Sequence, residues 1–513
     1  MISPGKEKMM APGGRRPPLA YIVLAPLAIG ALACSTLLPT MATPQPITPS
    51  QAETSRPTPP PTTPQVRPTA PPTPRPVLDG ELSRGGPWLV FLTDEGLWVV
   101  NSDGSGLARL IDRAGAEFDH FINGAEADSG GRLALVEVDS FYAYSAPRLE
   151  LLTLPDSQAR QLTQLVPEGF SVPHEEDSSR DVYNAVSLFN TFGWSPDGSQ
   201  LAFAGAMDGP SADLYVYDVA EDLIRRLTSG PSQTLGISWS PDGEWIVHGG
   251  AVFFPWGMAG PRYRMAEMWA ARADGSEVRR LYDASDSLDE WVVGWHDDDT
   301  FIVNSVDPER PPLHPPWKLR TFNLASGDVR MLREAPFSSV AMSPELGKLL
   351  VGADEDVLMY DPEAPRGLRL IDTTTGLDQV VVEDEVSSVH WSSDLDLFLA
   401  LTDFGVLAVA PNGDFIDLAV PPGAEGFPAV SPKGTELAWT GSGLWVGFLT
   451  SSLDQPPRQV FPEPVSLATW GPEGDYLLFF SEGRFYVGRS PDFDPLLVAE
   501  GMSDPNAAGW VRR

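Results

Sequence analysis

The sequence predicts an all-β protein: a single closed β-propeller of about eight blades, within a range of seven to nine, with four strands in each blade. Three observations predict it. A turn led by Trp recurs along the chain, an apolar strand-like run follows each copy, and the C-terminus supplies the strand that the first repeat lacks. The copies are mostly spaced by roughly 40–55 residues, which fits four short strands per unit in a radial architecture.

The turn Ser-Pro-Asp-Gly occurs at Ser195–Gly198 and again at Ser240–Gly243, after Trp194 and Trp239 respectively. Ser suits the first position of a type I turn, Pro presets φ at the second, and Asp and Gly suit the third and fourth. The chain can therefore leave one strand and enter the next at once. The preceding Trp is a large apolar anchor for packing one sheet on its neighbour.

Degenerate copies of the turn extend the repeat over most of the chain. They precede apolar runs at Leu133–Val136, Phe301–Val303, Leu349–Val351, Leu397–Leu399, Leu437–Trp439 and Tyr476–Phe479. Within a unit, a third strand with alternating character follows, such as Asp213–Asp218, and then a fourth, such as Arg225–Thr228. Period-2 alternation and Gly-containing turns favour antiparallel sheet, and the repeat region has no long stretch of helical period.

The two ends of the repeat region complement one another. The first unit starts at Trp88–Phe91 and lacks the Trp-led strand that should precede it, whereas the chain ends in Ala508–Val511, which resembles that strand alone. Joining the two would close a ring without an open edge. This count gives nine units, above the usual four to eight blades, so either one unit is irregular or the ring is unusually large. We expect one closed propeller of about eight blades, and two smaller propellers are the structural alternative.

Trp194–Phe203 followed by Asp213–Thr228, together with Trp239–Val247, resembles the repeats of bacterial TolB-like, WD40-like propeller proteins. The resemblance covers roughly Gly86 to Arg513, strongly in two units and loosely in the others. It implies a propeller fold. TolB carries a separate α/β domain ahead of its propeller, for which the stretch before Gly86 has no room, so the role of TolB in the Tol system is not implied.

Residues 1–33 have the character of a secretory signal: a basic start followed by an apolar run from Leu19 to Ala33. The single Cys of the chain, Cys34, follows Ala31-Leu32-Ala33 and resembles the lipidated Cys of a bacterial lipobox, although Ala31 replaces the usual Leu. The resemblance implies lipid on Cys34 and a membrane anchor. An ordinary signal or an uncleaved anchor is the alternative. Ser35 fits sorting to the outer membrane, if the host has one.

Residues 34–85 are dominated by Pro and Thr and predict a disordered tether, with the propeller at 86–513. About forty extended residues can span on the order of 100 Å. The whole chain has a net charge of −35. Residues 1–33 contribute +3 and residues 34–85 contribute +1, so the propeller region has a net charge of about −39. This balance disfavours nucleic acid as a partner. An acidic surface also simply keeps an exported protein soluble.

Long segments between second and third strands, and between units, are expected on one face of the disc, where binding usually resides. They are Ser140–Pro147, Val166–Asn190, Gly249–Ala266 and Ser305–Pro316. Aromatic and Arg side chains are common binding anchors. The candidate binding residues in these segments and directly after the last of them are Phe254, Trp256, Arg262, Tyr263, His314 and Trp317. The alternative is that these segments fold over one another as a minor core.

Signals for catalysis are weak. The six His are scattered without paired metal-ligand spacing, and no Gly-x-Ser-x-Gly elbow, calcium loop or Gly-rich phosphate loop occurs. We therefore predict no catalytic residue, no metal site and no cofactor. The sequence favours a lipid-anchored extracytoplasmic binding or scaffolding module for an envelope protein, peptide or glycan. An envelope hydrolase or lyase acting at the channel mouth, and a sensor subunit beside a membrane partner, are the alternatives.

Overall fold

The computed structural model describes residues 81–512 of the chain with internal gaps. The gaps are 113–120, 128–129, 139–146, 157, 168, 171–181, 184, 187–191, 258–259, 284–289, 306–317, 355–356, 358–364, 403–404, 435 and 450–455. The backbone but not the side chains is described at 121–127, 138, 158, 252–257, 260–266 and 283. The predicted signal, Cys34 and most of the predicted tether lie outside the described residues.

Nine four-stranded antiparallel sheets make up the described chain, and each sheet is one blade of a propeller. The predicted single closed propeller is confirmed, and its blade number is nine, the upper end of the predicted range. In eight blades the four strands follow one another in chain order. Blade 1 differs because its first strand comes from the C-terminus.

Blades 1 to 5 contain the first nineteen strands and the last one. Blade 1 comprises β36 (Ala507–Val511), β1 (Trp88–Thr93), β2 (Gly96–Asn101) and β3 (Ala108–Asp112). Blade 2 comprises β4 (Phe121–Ala127), β5 (Arg132–Val138), β6 (Arg148–Thr153) and β7 (Gln158–Gln164). Blade 3 comprises β8 (Phe192–Trp194), β9 (Gln200–Gly205), β10 (Asp213–Asp218) and β11 (Leu223–Arg226). Blade 4 comprises β12 (Gln233–Trp239), β13 (Trp245–Gly257), β14 (Gly260–Arg272) and β15 (Val278–Asp283). Blade 5 comprises β16 (Glu290–Trp295), β17 (Thr300–Ser305), β18 (Lys318–Asn323) and β19 (Val329–Glu334).

Blades 6 to 9 complete the ring with the same strand order. Blade 6 comprises β20 (Ser339–Ser343), β21 (Lys348–Gly352), β22 (Leu368–Asp372) and β23 (Asp378–Val382). Blade 7 comprises β24 (Val386–Ser392), β25 (Leu397–Thr402), β26 (Gly405–Val409) and β27 (Phe415–Leu418). Blade 8 comprises β28 (Ala424–Val430), β29 (Glu436–Gly441), β30 (Leu444–Phe448) and β31 (Arg458–Phe461). Blade 9 comprises β32 (Leu467–Trp470), β33 (Tyr476–Ser481), β34 (Arg484–Arg489) and β35 (Leu496–Glu500).

The hydrophobic core is divided into one apolar cluster at each junction between neighbouring blades. Second strands supply much of it, because alternate residues on each of these strands face the preceding and the following blade. Pairs that share a cluster, from the junction of blades 1 and 2 around to that of blades 9 and 1, are Val90 and Leu135, Leu149 and Phe203, Leu214 and Ile246, Val247 and Phe301, Ile302 and Leu349, Leu350 and Phe398, Leu399 and Val430, Ala438 and Leu477, and Phe480 and Leu89.

In blades 4, 5 and 9 the recurring Trp anchors its blade to the one before it through a hydrogen bond as well as through packing. Trp239 Nε1 donates to the Gly193 carbonyl of blade 3 at 2.8 Å, and Trp470 Nε1 donates to the Ala429 carbonyl of blade 8 at 3.0 Å. Trp295 Nε1 donates to Ser238 Oγ of blade 4 at 2.9 Å. The indole thus buries its apolar surface while its single donor finds a partner on the neighbouring blade.

The Ser-Pro-Asp-Gly turn closes as its residue types predict. Gly198 N donates to the Ser195 carbonyl at 2.8 Å, and Ser195 Oγ donates to Asp197 Oδ1 at 2.7 Å. Gly198 has φ of 68°, in the left-handed region that favours Gly. The turn around Asp242 repeats the pattern, with Gly243 N donating to the Ser240 carbonyl at 2.9 Å. Each turn therefore joins its two strands with its own polar groups satisfied.

The ring closes where the sequence predicts. β36 pairs antiparallel with β1, with Trp510 opposite Leu89. Ser503 adds a polar clasp just ahead of β36, because its backbone N donates to both carboxylate oxygens of Glu95 at 3.0 and 3.1 Å. Burial acts to raise the pKa of the Glu95 carboxyl, but the hydrogen bonds from Thr93 and Ser503 outweigh it and hold that pKa below its ordinary value.

Outer strands contribute a second repeated contact between blades. Arg279 of β15 donates to the Leu324 carbonyl in the turn after β18, at 2.7 Å. Arg330 of β19 donates to carbonyls of Thr373 and Thr374 in the next blade, and Arg458 of β31 donates to the Pro491 carbonyl at 2.8 Å. In each case an Arg on a fourth strand reaches the turn between third and fourth strands of the following blade.

Two of the predicted long segments are more ordered than expected. In Val166–Asn190, residues 182–183 and 185–186 are helical and buried, and Tyr183, Ala185 and Val186 pack between blades 2 and 3. The segment Gly249–Ala266, expected as a loop, belongs instead to β13 and β14, apart from the two undescribed residues at its tip. The antiparallel pairing of β13 with β14 continues beyond the four-stranded part of the blade. The aromatic and Gly content of this segment hides that pairing in the sequence.

Candidate binding face

The two faces of the disc differ in the lengths of their connections. In an antiparallel blade, the turns between first and second strands and between third and fourth strands share one face. The connections between second and third strands, and between blades, share the other, which we call the long-loop face. β13 and β14 have 13 residues each, whereas no other strand exceeds seven. They carry a β-hairpin out of this face by ~20 Å, since a strand rises ~3.3 Å per residue.

Four of the six predicted binding residues lie in this hairpin. Phe254 and Trp256 belong to β13, and Arg262 and Tyr263 belong to β14. The register pairs Phe254 with Arg262 and Phe253 with Tyr263. Three of the four predicted residues therefore lie at paired positions of one hairpin, and Trp256 lies two residues after Phe254 on the same strand. Their assignment to a loop is wrong, because they lie in paired strands. His314, Trp317 and the predicted lipidation site Cys34 lie outside the described residues.

The base of the hairpin is fixed by a full blade. Pairing of β12 with β13 ends at Gln233 opposite Ala251, and pairing of β14 with β15 ends at Glu267 opposite Asp283. Beyond these positions the described residues form a two-stranded ribbon. The register of β13 against β14 shifts between Gly250 and Ala251, which places a bulge where the ribbon leaves the sheet.

Glu267 gathers donors at the root of the hairpin. Trp269 Nε1 donates to Glu267 Oε2 at 2.9 Å, and Arg280 Nη1 donates to Glu267 Oε1 at 3.2 Å. Ser232 Oγ, in the connection from blade 3, donates to the same carboxylate at 3.4 Å. Charge-assisted bonds of this kind fix the ends of β14 and β15 relative to the preceding blade.

A second polar cluster lies between blades 4 and 5, on the other side of the hairpin. Glu290, at the start of β16, has a fully buried side chain and accepts a hydrogen bond from Arg320 of β18. Tyr282 of β15 also hydrogen-bonds to Glu290, and the Arg320 guanidinium lies 5.6 Å from the centre of the Tyr282 ring. Burial, followed by the charge of Glu290, raises the pKa of Tyr282 well above its ordinary value.

Blade 3 contributes a third cluster at the same edge of the sheet. Asp213 is buried at the start of β10 and accepts a hydrogen bond from Arg226 Nη2 at 2.5 Å. The Gly230 backbone N donates to its other oxygen at 3.1 Å. Burial raises the pKa of Asp213 even though Arg226 acts against it. Each of the three clusters contains an Arg–carboxylate pair, and together they fix the strand ends and connections on the long-loop face of blades 3 to 5.

His248 is a polar residue at a position that is apolar in neighbouring blades. It lies two residues beyond Ile246, the partner of the Trp239 anchor, where blades 3 and 5 have Phe203 and Val303. The ring is 3% exposed, and Nδ1 lies 3.2 Å from the Gly249 carbonyl. Within the described part of the chain, Nε2 has no hydrogen-bond partner. Burial lowers the pKa of His248 to about 4.

The described residues contain no group of three or more His, Cys, Asp or Glu side chains placed to hold a metal ion. Across the same residues, no helix is long and apolar enough to cross a membrane. The clusters around Glu267, Glu290 and Asp213 are not predicted by the sequence. With 70 Asp and Glu in the chain, no individual carboxylate stands out, and only the pairing of strand ends brings these carboxylates to their Arg partners.

No protein-family profile matches the chain. An uncharacterized protein of Agrobacterium fabrum is 33% identical over 93 residues, which is 18% of this chain and 28% of that protein. An uncharacterized peptidase of Bacillus subtilis, YuxL, is 43% identical over 54 residues, or 10% of this chain and 8% of the peptidase. The chain therefore spans less than a third of either curated relative.

Among solved structures, the chain is similar to a eukaryotic initiation factor with a TM-score of 0.51 and 12% identity, over 83% of this chain and 99% of that one. It also matches a TolB-like propeller from Agrobacterium tumefaciens with a TM-score of 0.28 and 22% identity, over 50% of this chain and 83% of that one. At these identities the likeness concerns the fold alone.

Proposed function

We propose that this protein is a lipid-anchored, extracytoplasmic binding module of the TolB-like propeller type, which captures a protein partner of the cell envelope on its long-loop face. The observation that carries the proposal is the β13–β14 hairpin, which stands on a rigid nine-blade disc and bears Phe254, Trp256, Arg262 and Tyr263. Aromatic and Arg side chains dominate binding energy at interfaces. Loops and projections on rigid scaffolds are the usual places for such residues.

The point at which the chain enters the disc supports this choice of face. Ser83 N donates to Asn101 Oδ1 at 2.8 Å, and Asn101 Nδ2 donates to the Glu81 carbonyl at 3.0 Å. Asn101 ends β2, so the entering chain meets the turn between third and fourth strands of blade 1. That turn belongs to the face opposite the hairpin. A tether attached there leaves the hairpin face accessible to a partner.

Capture of a partner is tested with the full chain, expressed in its membrane and crosslinked before pull-down from envelope extract. We expect Trp256→Ala and Tyr263→Ala each to reduce the recovered partner at least tenfold, with unchanged far-UV CD and melting temperature. Phe448→Ala is the matched control, because Phe448 is 50% exposed at the end of β30, on the opposite face. Equal recovery with all three variants would exclude the hairpin as the binding element.

The anchor is tested separately. We expect metabolic labelling with a clickable fatty acid to mark the wild-type chain and not a Cys34→Ala variant, and the variant to leave the membrane fraction. Cys34 is the only Cys, so no other thiol competes for the label. A Cys34→Ala chain that stays membrane-bound would refute lipid anchoring without affecting the binding proposal.

A further inference from the structure

We propose that the outer edge of β14, from Arg262 to Ala266, binds an extended acidic segment of the partner protein as an added β-strand. The inference rests on the proposed function, since it names the chemistry of the partner at the same hairpin. It concerns backbone pairing and charge, whereas the proposed function concerns the location of capture.

Among the described residues, the pairing of blade 4 leaves this edge without a partner. β15 pairs with β14 from Val278 opposite Ala271 to Asp283 opposite Glu267. From Ala266 towards the tip, β14 pairs only with β13 within the described part of the chain. The edge of Arg262–Ala266 is ~16 Å long, and no other described strand pairs with its backbone N–H and C=O groups. Addition of a peptide strand to such an edge is an established mode of recognition.

A third strand is also what the hairpin itself requires. A two-stranded ribbon is only marginally stable in water, and three strands are needed for independent stability. The blade flanks the hairpin with β12 and β15 only as far as Ala251 on β13 and Glu267 on β14. A bound strand would extend the sheet of blade 4 outward and stabilise the projecting part by the same hydrogen bonds that stabilise its base.

The sequence distinguishes the two edges of the ribbon. β13 carries Pro255 in the middle of its projecting part, and Pro cannot donate a ladder hydrogen bond. On β14 the nearest Pro is Pro261, which precedes the run from Arg262 to Ala266. Every residue of that run has a backbone N–H. The β14 edge is therefore the one that can support pairing without interruption from Arg262 to Met265, as far as the bulge that contains Ala266.

Charge selects an acidic segment. Residues 252–266 contain two Arg and no Asp or Glu, a local charge of +2 in a chain of net charge −35. Arg262 and Arg264 alternate with Tyr263 along the edge strand. Cross-strand partners of opposite charge stabilise antiparallel pairs, and like charges directly opposite destabilise them. The acidic remainder of the protein repels an acidic segment, so the hairpin is where such a segment would dock.

The test uses the full chain in detergent micelles and a fluorescein-labelled nine-residue peptide of alternating Glu and Val. Two further peptides carry backbone N-methyl groups on one or the other alternate set of residues, because only one set of N–H groups points at the edge strand. We expect binding in fluorescence anisotropy, a loss of at least tenfold in affinity with one N-methylated peptide, and little change with the other. Hydrogen exchange should slow at Arg262–Ala266 on binding.

Two charge variants complete the test. Arg262→Glu should weaken binding at least tenfold, whereas Arg366→Glu, an exposed Arg ahead of β22, makes the same change in net charge and should not. Equal binding of both N-methylated peptides would overturn strand addition, and equal effects of both Arg variants would overturn the site. Absence of peptide binding would also overturn the inference, while capture that depends on Trp256 and Tyr263 would still support the proposed function.

Discussion

At the scale of single residues, the anchor Trp combines two roles of which the sequence indicates one. Its position before the turn predicts a large apolar contact between sheets. The structure adds a donor, because Trp239 Nε1 satisfies the Gly193 carbonyl of the preceding blade. Trp439 provides a contrast, since it is 2% exposed and its Nε1 has no hydrogen-bond partner within the described residues. Trp239 therefore contributes both packing and a hydrogen bond, whereas Trp439 contributes packing without a described hydrogen bond.

We expect Trp239→Phe to lower the free energy of unfolding by about 0.5–1.5 kcal/mol more than Trp439→Phe does. The first variant removes the indole hydrogen bond to the Gly193 carbonyl, and a hydrogen bond contributes about that much, whereas the second removes a donor that has no described acceptor. Urea denaturation of both variants measures the difference. Equal losses would show that the Trp239 hydrogen bond contributes nothing beyond packing.

The buried imidazole of His248 makes stability depend on pH. The folded pKa of about 4 lies below the ordinary value of 6.5, so the unfolded chain binds the additional proton first. Stability is therefore fully present above pH 6.5 and is lost as pH falls from 6.5 towards 4. Integrated over this window, the loss is about 3 kcal/mol.

We expect His248→Phe to flatten the pH dependence of unfolding between pH 6.5 and 4 relative to the wild type. Phe occupies the equivalent position in blade 3, as Phe203, so the substitution suits the blade interface. Carboxylates titrate equally in both chains, and the difference between the two pH profiles isolates the imidazole. Parallel profiles would show that His248 is not buried in neutral form.

At the scale of elements, the fourth strands connect neighbouring blades through Arg. The sequence shows Arg-rich fourth strands as LIRRL, EVRRL and DVRML. It does not show which groups these Arg side chains contact. The structure shows that Arg279 reaches the Leu324 carbonyl at 2.7 Å and lies 5.0 Å from the centre of the Trp245 ring. Outer strands diverge in a wide ring, and a long side chain is needed to span the gap between them.

We expect Arg279→Ala to lower the free energy of unfolding by about 1–2 kcal/mol, because it removes a charged hydrogen bond and a cation–π contact. Arg366→Ala serves as the control and should stay within about 0.5 kcal/mol of the wild type, as for other surface positions. Thermal unfolding of both variants provides the comparison. A neutral Arg279→Ala would mean that apolar packing alone aligns the outer strands.

At the scale of the whole molecule, the ring depends on its last strand. β36 completes blade 1, and Phe91 packs on Phe480 and Phe485 of blade 9 with ring centres 5.0 and 5.4 Å apart. Without β36, the open edge of β1 would be exposed as a template for association. Ring closure therefore affects solubility as well as stability.

We expect removal of residues 505–513 to lower the melting temperature by more than 10 °C and to produce oligomers in size-exclusion chromatography. Ser503→Ala is the milder control, because it removes only the two hydrogen bonds of the hydroxyl, to Glu95 at 2.8 Å and from the Asp94 backbone N at 2.8 Å, and keeps the strand. It should remain a monomer. A truncated chain that stays monomeric with an unchanged melting temperature would refute closure by the C-terminal strand.

The repeat, the turn chemistry, the four-stranded units and the closing strand are all predictable from the amino-acid sequence. These features are local, since residue type at each turn and alternation along each strand specify them without reference to distant residues. The count of nine units was also available from the sequence, but the usual size of propellers favoured about eight. The segment from Gly249 to Ala266 was expected as a loop, because its aromatic and Gly content hides the continued pairing of β13 with β14.

The grouping of the polar residues, in contrast, depends on how the strands and blades pack. Glu290 contacts Arg320 and Tyr282, and these three residues lie on three different strands of two neighbouring blades. Glu267 likewise gathers Trp269, Arg280 and a Ser232 from the previous connection. The reason is geometric: strand register and the packing of blades fix which strand ends meet, and neither is encoded in the spacing of charged residues along a chain with so many acidic side chains.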